Sequence, residues 1–433
     1  MNTTLPTRAA RLLGTALVII MAVACAGPPA PPAPVADAPT PTAAPSASPI
    51  RPTATARPTP SPTPPPRLLL LWVSEVDANL EAVRALAADY QRTSGVQIDL
   101  AAKSPDTLRL SVAGVVLTGE PPPDLIWADQ EALAGLLADG QIQPTQATGD
   151  PLPGLLEDAT TEGKLWGVPL TAQGTLLLLY NRQIATGPPE TSDDLIVRSR
   201  AGGAGLVMAW DEPRWLLPWL YGFGGAITNS AGDTPTLDTP EMVSALGLLR
   251  ELAAASPAEV KTYRGGQRWF GQGEVAFAVD GDWALPEYRT LTETLDLGVA
   301  PMPVVPATGQ RALPVIGGTF LMLHRDLGGE DLARAKAFAA FLERPETQAR
   351  LALALGRLPA SRQVLDDPAI RSDPALTSAA AMAANAPGLP PTKASRCALF
   401  GIDVWLPSLL GGKLNQAETA TNMQREAEAC VTQ

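Results

Sequence analysis

LWGVPLTAQGTLLLLYN, Leu165–Asn181, marks the point where the organisation of this chain changes. Leu165–Pro169 and Thr175–Asn181 are short, mostly apolar runs that read as two strands, joined by a short loop holding Gln173. Upstream of them the pattern alternates regularly. Arg67 opens the run LLLLWV, a buried strand, and Asp77–Gln91 follows with Leu80, Val83, Leu86, Ala87 and Tyr90 at helical spacing. Val96–Ala101 is a second strand, Leu108–Leu117 a second helix and Asp124–Trp127 a third strand. The helix Glu131–Ala138 then stops at Gly140. Strands alternating with helices predict a mainly parallel sheet with right-handed crossovers.

Downstream the order is different. Gly205–Trp210 reads as a strand, and WLLPWLYGFGG, Trp215–Gly225, as an apolar stretch rich in turns. Thr239–Ala253 is a helix, Val275–Val279 a strand, and further strands start at Leu297 and Thr319. Helices over Asp331–Leu342, Pro345–Leu355 and Val404–Cys430 follow, the last broken at Gly411-Gly412. With 433 residues the chain is long enough for two α/β lobes, each with its own core.

The first 66 residues belong to neither lobe. Met1–Ala24 carries Arg8 and Arg11 ahead of the apolar run Leu12–Val23, too short to span a bilayer but suited to a secretory signal. Gly27–Pro66 holds sixteen prolines among Ala, Thr and Ser, a composition that gives a solvated tether. At ~3.1 Å per residue its extended reach is roughly 120 Å. The net charge of −12 argues against nucleic acid, because a phosphate backbone needs a basic face. Cys397 and Cys430 are the two cysteines beyond Cys25; in an exported chain they form a candidate disulfide, and their spacing fits no zinc pattern.

Six segments carry a resemblance to the bacterial extracellular solute-binding proteins of family 1, the maltose-binding type that serves ABC importers. They are PDLIWAD (Pro123–Asp129), the opening Leu165–Asn181 stretch, and DEPRWLLPWLYGFGG (Asp211–Gly225). TLDTPEMVSALGLLREL (Thr236–Leu252), FGQGEVAFAVDGDWAL (Phe270–Leu285) and GRLPASRQVLDDP (Gly356–Pro368) follow in the same order. The resemblance implies a two-lobed, type II periplasmic-binding fold with the ligand in a cleft between lobes joined by three chain crossings. It assigns residues 67–171 and 298–342 to the first lobe, and 172–297 and 343–433 to the second. Ala22-Val23-Ala24-Cys25 resembles a lipobox, so Cys25 is expected to be the acylated amino terminus of a monomer held outside the cell membrane. The implied partners are a small solute, most often a sugar, and the transmembrane subunits of a permease. Polyols, phosphorylated glycerol and polyamines use related scaffolds.

Ligands of open α/β sheets sit beyond the carboxyl ends of the strands. That rule selects Glu75, Trp127, Asp129, Gln173, Trp210, Asp211, Glu212, Asp282 and Trp283. Carboxylates and amides can bond vicinal hydroxyls, while indole faces pack on the C–H faces of a sugar ring. Each has a plainer reading as well. Trp127 and Trp210 serve equally as core, Asp129 as a helix cap, and Glu212 as the start of the helical stretch after Pro213. Gly317-Gly318 either lets backbone approach a ligand or turns the chain. The resemblance places Trp283 in the cleft and offers Phe400 as a further aromatic. Asp282 is expected at the rim or capping the next turn, with Gly281 turning the chain out of the sheet.

A secreted glycosidase would also gather carboxylates and aromatics. Beyond that shared composition the sequence offers no support for catalysis. It lacks GxSxG, HExxH, CxxC and GxxxxGK[ST], AGGAG at Ala201–Gly205 precedes a strand, and the lone His324 reads as a surface turn residue. No metal or organic cofactor is implied. Binding without chemistry is the expectation.

Overall fold

In the computed structural model the described residues are 68–201, 205–257 and 262–433, apart from the side chains of 116–118. The signal, Cys25 and the tether lie outside them. Strands β1 (Leu69–Val73), β2 (Ile98–Ala102) and β3 (Leu125–Asp129) pair in parallel in the order β3-β1-β2. The helices Asp77–Ser94 and Pro105–Thr118 connect them. The short strand β4 (Ile142–Gln143) and the hairpin β5 (Thr160–Thr161) and β6 (Lys164–Leu165) lead into β7 (Val168–Gln173) and β8 (Leu176–Asn181). Two residues, Gly174 and Thr175, separate β7 from β8.

Beyond that link lie β9 (Leu206–Val207), β10 (Phe277–Gly281) and β11 (Leu297–Ala300), then the hairpin β12 (Val304–Val305) and β13 (Gln310–Arg311). The chain ends its strands with β14 (Gly317–His324) and β15 (Leu358–Pro359). Two sheets result, both within the unit Thr63–Gln433. One has seven strands in the order β15-β7-β14-β3-β1-β2, with β4 also on β14; the other has four, β11-β8-β10-β9. β7 belongs to the first sheet and β8 to the second, so the opening stretch is the passage from one to the other.

The seven-stranded sheet is mixed instead of mainly parallel. β14 enters it from the other sheet's side and pairs antiparallel with β3, β4 and β7, and β15 is antiparallel to β7. Its strands are covered on both faces. Leu69, Leu71, Trp127 and Leu321 meet Val83, Tyr90 and Phe338, while Trp72, Ile126 and Phe320 face a larger core that continues into the second sheet.

Local chemistry explains most of the helices. Thr239 caps Pro240–Ala254 by accepting from the Met242 amide at 3.2 Å, Pro240 opens it, and Met242, Leu246, Leu249 and Leu252 bury one face. Trp215–Gly225 corrects the turn-rich reading. Pro213–Gly222 is a helix despite Pro218 inside it, because Trp215 to Leu220 are all buried and packing surrounds it. Trp215 also donates its indole N–H to the Val279 carbonyl at 2.9 Å.

Two crossings lie later in the chain than the resemblance put them. β11 pairs with β8, and the β12–β13 hairpin stays with the second sheet, where Thr308 donates to the Gly222 carbonyl at 2.6 Å. The return therefore falls between Arg311 and Gly317, not at residue 298. Pro345–Leu355 packs on Asp77–Ser94, Arg350 reaches Asp89 at 2.7 Å, and β15 supplies an edge strand to β7. The third crossing thus comes after Pro359, because the first sheet needs that edge, and not at residue 343.

Candidate functional site

The strand ends converge at one place. β14 runs antiparallel to β3 and β7, so Gly317 pairs with Gln173 and Thr319 with Asp129. The same edge carries the end of β1. Across the Gly174–Thr175 link, the end of β10 lies against the start of β8, Gly281 pairing with Leu176. Gly174 takes φ +81°, which favours glycine at this turn.

Asp282 fastens that link. Its carboxylate accepts the Gly174 amide at 3.1 Å and the Thr175 amide at 3.2 Å, while its own amide donates to the Thr175 carbonyl at 3.0 Å. Burial pushes its carboxyl up to about 6, against those amides and the charge of Arg357. The half-buried carboxylate thus ties the β7–β8 link to the end of β10.

Trp283 stands beside it with 47% of its surface exposed. Its indole N–H donates to the Tyr263 hydroxyl at 2.8 Å, and that hydroxyl donates to Asp280 at 2.9 Å. Asp280 is buried and also accepts from Tyr288 at 2.8 Å, while Trp215 meets the indole edge-on at 6.0 Å. Gly281 has ordinary extended backbone, φ −88°, so backbone freedom is not its role. A Cβ there would stand 2.0 Å from the Trp283 ring. The glycine leaves the space in which the indole folds back.

Other candidates change role. Glu75 is buried and held by both terminal nitrogens of Arg357, one at 3.1 Å, which fixes its carboxylate in an ion pair. Trp127 and Trp210 are 0% and 3% exposed and belong to the two cores, Trp127 within β3 and Trp210 in the turn after β9. Asp129 caps the helix Gln130–Ala138 through the Ala132 amide at 2.9 Å. A Cβ at Gly318 would meet the Thr171 carbonyl at 2.3 Å, so close packing accounts for that glycine, while one at Gly317 would stand 3.3 Å from the end of the Gln130 side chain. Gln173 is half-buried at the end of β7, Asp211 and Glu212 are exposed ahead of Pro213, and Phe400 is exposed on the helix Lys393–Leu410. His324 is buried, not a surface residue; its Nδ1 accepts the Asp326 amide at 3.3 Å and burial lowers its pKa.

A cavity of about 510 Å³ opens between the Gln130–Ala138 helix and the segment Leu389–Leu399, with Arg214 on its wall. Gln130 spans the back, donating to Asp158 and to the Leu389 carbonyl, each at 2.9 Å. Arg214, Arg396 and Gln130 escaped the sequence reading, because a polar residue in a first helical turn looks like any solvated charge or amide.

Residues 85–378 match the model of a family described as bacterial extracellular solute-binding protein. The chain belongs to that family. This solute-binding protein is 24% identical to the maltotriose-binding protein of Pyrococcus abyssi over 71% of its own length and 70% of the relative's. Among solved structures it resembles a MalE maltose/maltodextrin-binding domain from Bdellovibrio bacteriovorus bound to maltotriose, TM-score 0.65 and 21% identity, over 85% of this chain and 100% of that one. It also resembles MalE from Listeria monocytogenes in complex with maltose, TM-score 0.76 and 18% identity, over 84% and 98%. The two-lobed, type II periplasmic-binding fold is thereby shown, and the solute-binding protein works outside the cytoplasm as a binder and not as an enzyme.

Proposed function

We propose that this solute-binding protein captures a short oligosaccharide between the facing edges of its two sheets and hands it to an ABC permease. The observation that carries the reading is Trp283: a half-exposed indole, braced by Tyr263 and Asp280, beside the link that joins the sheets. Such a face suits the C–H surface of a sugar ring. The named relatives support the choice of saccharide, since one is a maltotriose-binding protein and two solved neighbours hold maltotriose and maltose. In this reading each sheet with its helices is one lobe, and closure shifts an open–closed equilibrium by the ligand's differential affinity. Cys25 is the lipidated end of a monomer, and Gly27–Pro66 the spacer that lets the lobes reach a permease.

A thermal-shift panel of neutral and acidic oligosaccharides tests this. A ligand at about 100 times its dissociation constant should add roughly 2.7 kcal/mol to stability. Silence across the whole panel would overturn the saccharide reading.

A further inference from the structure

Two guanidinium groups face the 510 Å³ cavity without an acidic partner. Arg214 lies in the first turn of Pro213–Gly222 and Arg396 in the first turn of Lys393–Leu410, two elements far apart in sequence. Both are exposed, and among the described residues neither side chain makes an ion pair or hydrogen bond. The third arginine on the wall, Arg109, is already satisfied: it grips Asp139 with two nitrogens, at 2.6 and 2.8 Å. Glu131 is the one carboxylate lining the cavity. Asp211 and Glu212 precede Arg214 in the chain but line no part of it.

The buried acid whose charge Arg214 feels is Asp158. It is fully buried, one of its oxygens has no hydrogen-bond partner, and burial pushes its carboxyl well above the usual range. Its bonded oxygen is taken by the Gln130 side chain and the Leu389 amide, and it makes no ion pair with Arg214. Two bare cations on one concave wall run against a chain whose net charge is −12. A guanidinium fork matches the two oxygens of a carboxylate or phosphate, whereas neutral sugar hydroxyls do not require it.

We propose that the cleft selects an anionic saccharide, whose carboxylate or phosphate ester is met by Arg214 and Arg396 while Leu389, Pro390 and Leu399 offer apolar surface to its rings. The proposal deepens the saccharide reading and rests on it. Calorimetric titration of the whole protein with maltotriose, trigalacturonate and maltotriose phosphorylated at its reducing end separates the two. At least one acid should bind about tenfold or more tighter than maltotriose, roughly what one charge-assisted hydrogen bond supplies. Whichever acid wins names the group. The preference should shrink as salt rises from about 0.1 M to about 1 M, where the screening length falls from ~10 Å to ~3 Å.

Arg214→Gln and Arg396→Gln should each reduce the ratio of acid to neutral affinity, and Glu131→Gln should raise it. Maltotriose binding as tightly as both acids would overturn the proposal and leave the saccharide reading standing; no binding of any probe would sink both. An acid preference that survives in the Arg214→Gln/Arg396→Gln protein, melting like the parent, would also overturn it. Should that variant not fold, an acid preference indifferent to salt in the parent is the overturning result.

Discussion

A methyl group at position 281 would stand 2.0 Å from the Trp283 ring, so the indole's place depends on a side chain that is missing. Trp283→Ala should therefore separate platform from core. Truncating a buried tryptophan typically costs about 3–5 kcal/mol of stability. Losing an exposed stacking face should leave the melting temperature near the parent's and remove about 1–3 kcal/mol of saccharide affinity, measured by titration. A variant that melts far lower yet binds normally would reject the platform. Asp282 gives a second test. Its folded-state pKa of about 6 exceeds the ordinary value of 3.8, so the folded protein holds this proton more tightly than the unfolded chain. The group's contribution is complete below about pH 4 and is lost as pH rises through 6, at no more than ~1.4 kcal/mol per unit. Asp282→Asn should flatten the parent's fall in stability between pH 4 and 6, read by denaturant titration; an unchanged slope would reject the assignment. At this scale the sequence was only half legible. Trp283 stood out because its motif resembled a family's, but Trp127 and Trp210 looked the same. Trp127 sits in a strand buried on both faces, where no alternation says which way a side chain points, and Trp210 lies past the end of its strand.

The helices Lys393–Leu410 and Gln416–Thr432 form a hairpin closed by Cys397–Cys430, with an S–S distance of 1.96 Å. They approach so closely that a Cβ at Gly401 would meet the Met423 carbonyl at 2.5 Å. The bond ties positions 33 residues apart, and chain entropy sets its worth at no more than about 3–4 kcal/mol. Replacing both cysteines with serine should lower the melting temperature, and reductant should do the same to the parent. A parent indifferent to reductant would show that packing alone holds the hairpin. Helices were legible where caps and period agreed, as at Pro345–Leu355, read to the residue. Trp215–Gly225 was not, because its proline and glycines signal turns while the packing that overrides them comes from distant elements. Crossing positions were also hidden, since no local signal says which sheet will accept β11 or β15.

For the molecule as a whole, the proposed lipid anchor at Cys25 is open to a direct test. Cys25→Ser should release the protein from the membrane fraction of a bacterial host; retention would reject the lipid anchor. The two-lobe architecture itself was legible, because the alternation of β1 to β3 breaks off at the Leu165–Asn181 stretch. The cleft wall was not, since the 510 Å³ cavity joins segments as distant as Arg109 and Leu399. Trp283 has a last consequence, an optical one. It is the exposed member of nine tryptophans, the other eight being buried or half-buried. The protein thus carries its own fluorescent gauge of occupancy. Acrylamide should quench this one emitter first, and a ligand lying over the indole should shield it and shift its emission to the blue, so capture can be timed without any added dye.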